Sequence, residues 1–365
     1  MKFPSLLAAA LCAATTTAQA EPTLTYGSAL PAPHVVHEKG LAPFFDRVAA
    51  ATNGELQMEL IPGGAMGGLK EVVQMLQDNV TDMGLLLDIY QRQELPITSM
   101  FSDMITLPDD FIVFAAAANE MQLVACTECQ AERKEAGLLS LAYYGPDPYR
   151  LMCSDGTKTF EDMANKKTQA SGRLGVLMKE LGATPVTLTS SETYESLQRG
   201  QADCAVASTA WLDSYSLKDV VETVIDLQLG SYFNAGLLVM NRGVWDDLPE
   251  DQQKAIQSNL AELVVDSLLA YQAQGDAALE AARQAGVEIV EPDDKLKSIL
   301  ADFRKGEIEN TIATAEANGD DAVRARVETY LALVEKWRGI VAEVGSDRAA
   351  FIEAMDREVF SKMAF

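Results

Sequence analysis

Residues 55–87 decide the fold class: they read ELQMELIPGGAMGGLKEVVQMLQDNVTDMGLLL. Alternating side chains predict a strand over residues 56–61, and a continuous apolar run predicts a buried strand over residues 82–87. Between them, a glycine-rich loop at 62–68 leads into a helix predicted over 69–77. A strand, a helix and a second strand in this order are the repeating unit of a parallel α/β sheet.

The same alternation continues on both sides of this stretch. Residues 23–28 are predicted to form a strand and residues 34–53 an amphipathic helix. An internal echo follows, because the order helix, turn, Asp and buried strand occurs at residues 71–84 and again at 192–205. This echo predicts two similar α/β lobes. Ligands bind at the carboxyl ends of the strands in such sheets, so two facing edges would form a cleft.

The fold class expected from these patterns is α/β with two lobes. Lobe I is predicted to comprise residues 21–148, completed by about 238–280. Lobe II is predicted to comprise residues 149–237, completed by C-terminal helices, and residues 281–365 form a helical tail that packs across both lobes.

The first 20 residues have the composition of a secretory signal peptide. Lys2 precedes a short apolar run, and Ala18-Gln19-Ala20 is a small-x-small cleavage site. We therefore expect cleavage after Ala20 and export to the periplasm. Neither this run nor any later one reaches the roughly 18 apolar residues that a membrane-spanning helix needs, so we expect a protein that is not embedded in the membrane.

Composition narrows the classes of partner. The chain has 54 acidic and 29 basic residues, a formal net charge of −25, and 48% hydrophobic residues, enough for a sizeable core. A strongly negative field repels phosphate backbones, which argues against nucleic-acid binding. Any anionic ligand would depend on arginines or backbone donors placed locally.

Four cysteines follow the signal peptide: Cys126, Cys129, Cys153 and Cys204. An even number in an exported protein predicts disulfides, with three alternative pairings. We favour Cys126–Cys129 together with Cys153–Cys204. Cys126-x-x-Cys129 is also compatible with half of a zinc site or a redox motif, but a second CxxC and a thioredoxin-like setting are lacking, so no metal is expected.

Four segments follow the signal peptide in a set order. They are LTYGSALPAPHVVHEKGLAPFFDRV (24–48), ELQMELIPGGAMGGLKEVVQMLQDNVTDMG (55–84), LGATPVTLTSSETYESLQRGQADCA (181–205) and SYFNAGLLVMNRGVWDDLPEDQQKAI (231–256). In this order they resemble the extracytoplasmic solute-binding proteins of tripartite ATP-independent periplasmic (TRAP) transporters, the DctP family. The resemblance covers nearly the whole mature chain.

The resemblance implies a periplasmic binding-protein fold with a hinge of crossing strands and a long helix that spans both lobes. It implies a receptor that closes on a small molecule and docks on the membrane subunits of a TRAP permease, which an ion gradient drives. No cofactor is implied, and we expect a monomer. Closure would be a population shift toward the form in which the ligand contacts both lobes.

Members of that family typically carry an arginine just before the helix of the LGA segment, where it pairs with the ligand carboxylate. Here Thr168 or Gln169 occupies that position, and Arg173 or Arg150 is the expected substitute. Arginine suits this role because its planar fork binds carboxylates in a bidentate manner. The departure leaves three ligand classes open: an organic acid, a sugar acid and a polyol.

Further ligand-binding candidates lie at predicted strand ends or beside the crossover between the lobes. They are His34, Asp88, Tyr90, Tyr144, Tyr149, Trp211 and Asn234. Each also has a purely structural interpretation, as hinge packing, core packing or a helix start. His34 and His37 are the only histidines and could together bind a metal, but we expect none.

Two other functional classes remain open from the sequence. A secreted hydrolase that uses two carboxylates is compatible with the many acidic residues, although the chain contains neither G-x-S-x-G nor H-E-x-x-H. A sensor that presents its closed form to a receptor kinase would have the same sequence features as a transport receptor.

Overall fold

The computed structural model describes residues 23–364, so the predicted signal peptide lies outside the described residues. Within this range the chain forms two sheets. The strands are β1 (Thr23–Gly27), β2 (Gln57–Ile61), β3 (Met83–Leu87), β4 (Leu138–Tyr144), β5 (Tyr149–Cys153), β6 (Lys167–Gln169), β7 (Thr184–Val186), β8 (Cys204–Ser208), β9 (Thr223–Ile225), β10 (Ala235–Asn241) and β11 (Glu288–Val290).

The first sheet, that of lobe I, has the order β2-β1-β3-β10-β4. Strands β1, β2 and β3 are parallel, as the sequence pattern predicts, and β10 runs antiparallel to both of its neighbours. All five residues of β3 are buried, which agrees with its continuous apolar sequence. The second sheet, that of lobe II, has the order β11-β9-β5-β8-β6-β7.

Two short connections pass between the sheets, and a third, helical connection over residues 242–287 leads from β10 to β11. Residues 145–148 lead from β4 to β5, and residues 226–234 lead from β9 back to β10. These connections form the predicted hinge of crossing strands. The return strand β10 begins at Ala235. Strand β11 extends the sheet of lobe II, although its residues were predicted to belong to a helical tail.

Helices cover both sheets. They are α1 (Ala42–Ala51), α2 (Val72–Gln77), α3 (Pro96–Ser99), α4 (Phe111–Glu120), α5 (Thr127–Glu135), α6 (Gly172–Glu180), α7 (Thr193–Gln198), α8 (Trp211–Ser214), α9 (Arg242–Asp247), α10 (Glu250–Gln257), α11 (Leu260–Gln284), α12 (Asp294–Ala317), α13 (Val323–Val344) and α14 (Arg348–Glu358). None of the helices within residues 23–364 combines the length and hydrophobicity needed to cross a lipid bilayer.

Helix α11 is the long helix that contacts both lobes. It packs against β4 of lobe I and against α8 of lobe II. Its Gly275 allows this approach, because a Cβ atom there would lie 2.5 Å from Oδ2 of Asp147 in the first crossing connection. The helix therefore passes directly behind the hinge.

The glycine-rich loop packs against the loop that follows β1. The backbone N–H of Gly63 donates to the carbonyl of Leu30 at 2.9 Å, and that of Gly64 donates to the carbonyl of Ser28 at 2.9 Å. The loop amides thus hold the segment that carries His34. Helix α2 begins at Val72, three residues later than the sequence predicts.

Two long helices that the sequence pattern predicts are interrupted. Pro108 is expected to open a helix that runs to about Glu135, but this stretch divides into α4, a π-helical turn over Met121–Ala125, and α5. Cys126 leaves the helical conformation and caps α5, which ends the continuous helix. A helix predicted from Leu248 to about Ala285 is likewise divided, because residues 258–259 separate α10 from α11.

Both disulfides of the favoured pairing are present, Cys126–Cys129 and Cys153–Cys204. The second joins β5 to β8 at a position where the two strands are directly paired. Cys153, Asp155 and Cys204 form the one cluster of three metal-binding side chains within residues 23–364. Because two of its sulfurs are bonded to each other, this cluster is accounted for as a disulfide.

Candidate functional site

A cavity of about 60 Å³ lies between the two lobes. Lobe I contributes His34, which follows β1, and Tyr90, which follows β3; lobe II contributes Gln169 at the end of β6 and Trp211 after β8. Tyr271 reaches the cavity from α11. The cavity therefore lies at the carboxyl ends of parallel strands in both sheets, where ligands bind in α/β folds.

Aromatic side chains form much of the cavity wall. Successive ring centroids lie 4.9–5.7 Å apart along an unbroken chain of contacts. In order, this chain consists of Tyr144, Tyr271, His34, Tyr215, Trp211 and Tyr149. Leucine, isoleucine and valine side chains also line the cavity. Such a surface suits a compact solute with an apolar body.

The hydrogen bonds of His34 define its protonation. Its Nδ1 accepts from the backbone N–H of Val36 at 3.3 Å, so Nε2 carries the hydrogen and donates to Oη of Tyr271 at 3.0 Å. Burial lowers the pKa of His34 well below its usual value, which keeps the ring neutral. The hydroxyl hydrogen of Tyr271 is therefore available to a ligand or to the adjacent Tyr144.

Three polar atoms of the cavity wall make no hydrogen bond of standard geometry with any part of residues 23–364. They are Nε1 of Trp211, Oη of Tyr215 and Oε1 of Gln169. The first two interact with the hydroxyls of Tyr271 and Ser190, respectively, but outside that geometry. Each of the three residues is more than nine-tenths buried. Because buried polar groups are normally paired, these atoms indicate where a ligand would bind.

The cavity wall is electrically neutral. Among residues 23–364, no Asp, Glu, Lys or Arg side chain lines the cavity. Burial also raises the pKa values of Tyr149, Tyr215 and Tyr271 well above the usual range, so these phenols stay protonated. Every polar contact offered to a ligand is therefore an uncharged hydrogen bond.

The two arginines expected to replace the family arginine are engaged elsewhere. Arg173 forms a bidentate pair with Glu307 of α12, with Nε at 3.0 Å and Nη2 at 2.5 Å from the two carboxylate oxygens. Arg150 Nε lies 2.5 Å from Oδ1 of Asp226. Neither arginine lines the cavity. Glu307 lies 134 residues from Arg173, so sequence spacing gave no sign of this pair.

Strand alternation places Thr168 and Gln169 on opposite faces of the sheet. Successive side chains of β6 point to opposite faces of the sheet. Gln169 lines the cavity, whereas Thr168 is fully buried away from it, with Oγ1 3.5 Å from the carbonyl of Lys166.

Asp88 and Asn234 lie behind the cavity wall. The Asp88 carboxylate accepts hydrogen bonds from the hydroxyls of Ser102 and Tyr232 and from the amide of Asn234. Burial raises the pKa of Asp88 to about 6, although these three hydrogen bonds act in the opposite direction. Tyr232 itself lines the cavity, so this cluster positions a wall residue.

The structure thus divides the ten sequence candidates into two groups. Those that line the cavity are His34, Tyr90, Tyr144, Tyr149 and Trp211. Those that do not are Asp88, Arg150, Thr168, Arg173 and Asn234. Ligand contact by the first group remains a prediction.

Sequence reasoning missed several residues of the cavity wall. Tyr215 lies four residues after Trp211, a helical spacing that could have identified it. Tyr232 and Tyr271 come from the second crossing connection and from α11, and no local pattern marks them.

Tyr90 connects the two lobes beside the cavity. The backbone N–H of Ser190 in lobe II donates to Oη of Tyr90 in lobe I at 3.0 Å. Tyr90 therefore lines the cavity and also bridges the two lobes.

Comparisons with known proteins agree with this geometry. Residues 26–306 match the family described as bacterial extracellular solute-binding protein, family 7, or DctP. A solute-binding protein of Albidiferax ferrireducens is 22% identical over 73% of this chain and 75% of its own length. The C4-dicarboxylate-binding periplasmic protein DctP of Rhodobacter capsulatus is 25% identical over 74% of this chain and 80% of its own length.

A similar solved structure is that of a TRAP solute-binding protein from Rhodoferax ferrireducens, in complex with copurified benzoate. It superposes with a TM-score of 0.75 at 20% identity, covering 88% of this chain and 99% of that chain. This similarity concerns the two-lobed fold.

Proposed function

Because this chain belongs to the bacterial extracellular solute-binding proteins of family 7, we propose that it captures a small organic acid with a single carboxylate. The acid binds between the lobes and is delivered to the membrane subunits of a TRAP permease. The family consists of solute-binding receptors rather than enzymes, so we propose that the ligand is released chemically unchanged.

The observation that carries this proposal is the neutral, aromatic cavity with unpartnered polar atoms in its wall. Trp211 Nε1 can only donate a hydrogen bond, and the hydroxyls of Tyr215 and Tyr271 can each donate one. Hydrogen bonds from neutral donors to a carboxylate are charge-assisted and about twice as strong as bonds between neutral groups. One carboxylate can therefore be held here without an arginine.

A second carboxylate would be poorly tolerated. Burying a charge is costly unless it is paired, and the described cavity wall contains no cationic side chain. The Rhodobacter relative is named for C4-dicarboxylates, whereas benzoate, the ligand of the structural relative, has one carboxylate and an apolar ring. The cavity of this chain favours the second type of ligand.

The size of the cavity sets a further limit. Its volume of about 60 Å³ is below the roughly 150 Å³ of an apolar cavity that accepts benzene. A solute with a few carbon atoms fits with the lobes as they stand, and a ring requires them to separate slightly.

Delivery follows from movement of the lobes. We propose that they rotate about the crossing connections at residues 145–148 and 226–234 and close when a ligand contacts both walls. We also propose that the protein is exported with cleavage after Ala20 and that the receptor acts as a monomer. In support of a monomer, Val80 is the one large apolar side chain found exposed within residues 23–364.

A ligand panel tests the proposal. The mature protein is titrated calorimetrically with lactate, benzoate, benzamide, succinate and mannitol, and its melting temperature is recorded with each. We expect binding of at least one monocarboxylate, weaker binding of benzamide than of benzoate, and weak binding of succinate and mannitol. Tightest binding of succinate or mannitol would contradict the proposed ligand class.

Two further measurements address delivery and chemistry. Mass spectrometry after incubation should recover the bound acid unchanged, whereas a new product would indicate an enzyme. Deletion of the gene should abolish uptake of the acid by cells, and normal uptake would contradict a role in transport.

A further inference from the structure

We infer that the cavity selects acids that carry an N–H or O–H group beside the carboxylate, and that Gln169 determines this selectivity. The inference rests on the proposed function, because it specifies which small organic acids the same cavity accepts.

The Gln169 side chain is held in one orientation. Its Nε2 donates to the backbone carbonyl of Thr189 at 2.8 Å. Since a carbonyl can only accept, rotating the amide would place two oxygen atoms against each other. The amide oxygen Oε1 therefore faces away from Thr189, and it makes no hydrogen bond to the part of the chain that the structure describes.

The partner carbonyl is itself well anchored. Thr189 begins the turn that leads into α7, where its backbone N–H and its hydroxyl both donate to Oε2 of Glu192, at 2.7 and 2.6 Å. This reciprocal cap fixes the segment that carries the carbonyl. Gln169 ends β6, which is paired with a neighbouring strand on each side.

The unpartnered atoms of the wall are of opposite kinds. Oε1 of Gln169 can only accept, whereas Nε1 of Trp211 can only donate and the hydroxyl of Tyr215 is able to donate. A ligand that satisfies all three must present acceptor oxygens together with one hydrogen-bond donor. Small molecules with this combination include 2-hydroxy acids and lactam acids, which join a carboxylate to a neighbouring O–H or N–H.

The penalty for lacking the donor should be large. A ligand without it would leave the Gln169 oxygen buried and unpaired, and sites built to bind an O–H or N–H reject analogues that lack it. We expect a loss of affinity of about 10- to 100-fold for such an analogue.

Matched acids provide the test. Calorimetry compares lactate with 2-fluoropropionate, in which fluorine replaces the hydroxyl, and 5-oxoproline with its lactone analogue, in which oxygen replaces N–H. For the wild-type protein we expect the donor-bearing member of each bound pair to bind about 10- to 100-fold more tightly. This comparison needs no variant, so it stands even if a substitution impairs folding.

The variant Gln169→Met then assigns the selectivity to one atom. Methionine has a similar size but only a weakly accepting sulfur in place of the amide oxygen, so the two members of a pair should bind with nearly equal affinity. Gln198→Met makes the same change at an exposed position and should preserve the wild-type preference.

The outcomes separate the two proposals. Equal affinity for both members of a pair in the wild-type protein would overturn the inference and leave the proposed function intact. Failure of all the acids and of benzoate to bind would overturn both. A preference that survives in Gln169→Met would exclude Gln169 as its source.

Discussion

Two neighbouring regions of this molecule differ in how fully their buried polar groups are hydrogen-bonded. Behind the cavity, Asp88 and Asp147 are almost fully buried and accept three and four hydrogen bonds respectively. In the cavity wall, Trp211, Tyr215 and Gln169 each have a polar atom that makes no hydrogen bond of standard geometry to the described residues. Saturated groups stabilise the fold, whereas unpartnered groups reduce stability until a ligand binds.

The largest effect is expected at the hinge. Asp147 lies in the first crossing connection and accepts from the hydroxyl of Ser208, from both donors of Thr209 and from the backbone N–H of Ala210. Asp147→Ala would leave buried backbone donors unpaired. We therefore expect the free energy of unfolding, measured in urea, to fall by about 3–5 kcal/mol.

An exposed aspartate serves as the control for this change. Asp302 forms a surface pair with Lys305, and its side chain is 73% exposed. Asp302→Ala should change stability by less than about 0.5 kcal/mol. A similar loss in both variants would mean that the hinge carboxylate has no special structural role.

The second prediction concerns the pH dependence of stability. Burial raises the pKa of Asp88 to about 6, above about 4 in an unfolded chain, so the folded protein binds this proton more tightly. The resulting contribution to the free energy of unfolding is fully present below about pH 4. It is lost as the pH rises through about 6, and the difference is about 2–3 kcal/mol.

The variant Asp88→Asn isolates this contribution, because the amide does not titrate. The free energy of unfolding of both proteins is measured in urea between pH 4 and 8. In the wild type it should contain a contribution that falls with rising pH, and this contribution should be missing in the variant. Parallel curves for the two proteins would show that Asp88 does not titrate in this range.

The same comparison explains what the sequence could predict. The buried strand β3 was evident from its apolar run, and His34, Tyr90 and Trp211 were found because each follows a strand end. The strand β11 was missed because residues 281–365 were predicted to form a helical tail.

Long-range pairing explains the remaining differences. Asp88 follows β3 as a ligand residue would, yet its carboxylate bonds to Tyr232 and Asn234, 144 and 146 residues later in the chain. Arg173 is similarly engaged by Glu307. Local sequence shows that a polar group lies near a sheet edge, but only the three-dimensional structure shows whether a protein partner already satisfies it.

Two tyrosines of the cavity wall provide a direct test of this distinction. Tyr232 donates to Asp88, whereas the hydroxyl of Tyr215 has no hydrogen bond of standard geometry. Tyr232→Phe should therefore lower the free energy of unfolding by about 1–2 kcal/mol. Tyr215→Phe should leave it unchanged or slightly raised, since a buried unpaired group is removed.

Ligand affinity should distinguish the same two variants. Tyr215→Phe should weaken binding of the preferred acid by about 5- to 10-fold, because a donor to the carboxylate is lost. If Tyr215→Phe lowered stability as much as Tyr232→Phe, the hydroxyl of Tyr215 would have a partner in the protein, and the contrast between the two regions would fail.

The smallest effect is expected at the bond between the lobes. Tyr90 accepts a neutral hydrogen bond from the backbone N–H of Ser190, and such a bond contributes about 0.5–1.5 kcal/mol. Because this contact forms only when the lobes meet, Tyr90→Phe should weaken ligand affinity about 3- to 10-fold. The free energy of unfolding without ligand should change less, since separated lobes leave both groups in water.

Calorimetric titration and urea unfolding of the same sample measure the ligand affinity and the free energy of unfolding of Tyr90→Phe. A loss of stability without a loss of affinity would place Tyr90 with the saturated groups behind the cavity instead of with those that respond to the ligand.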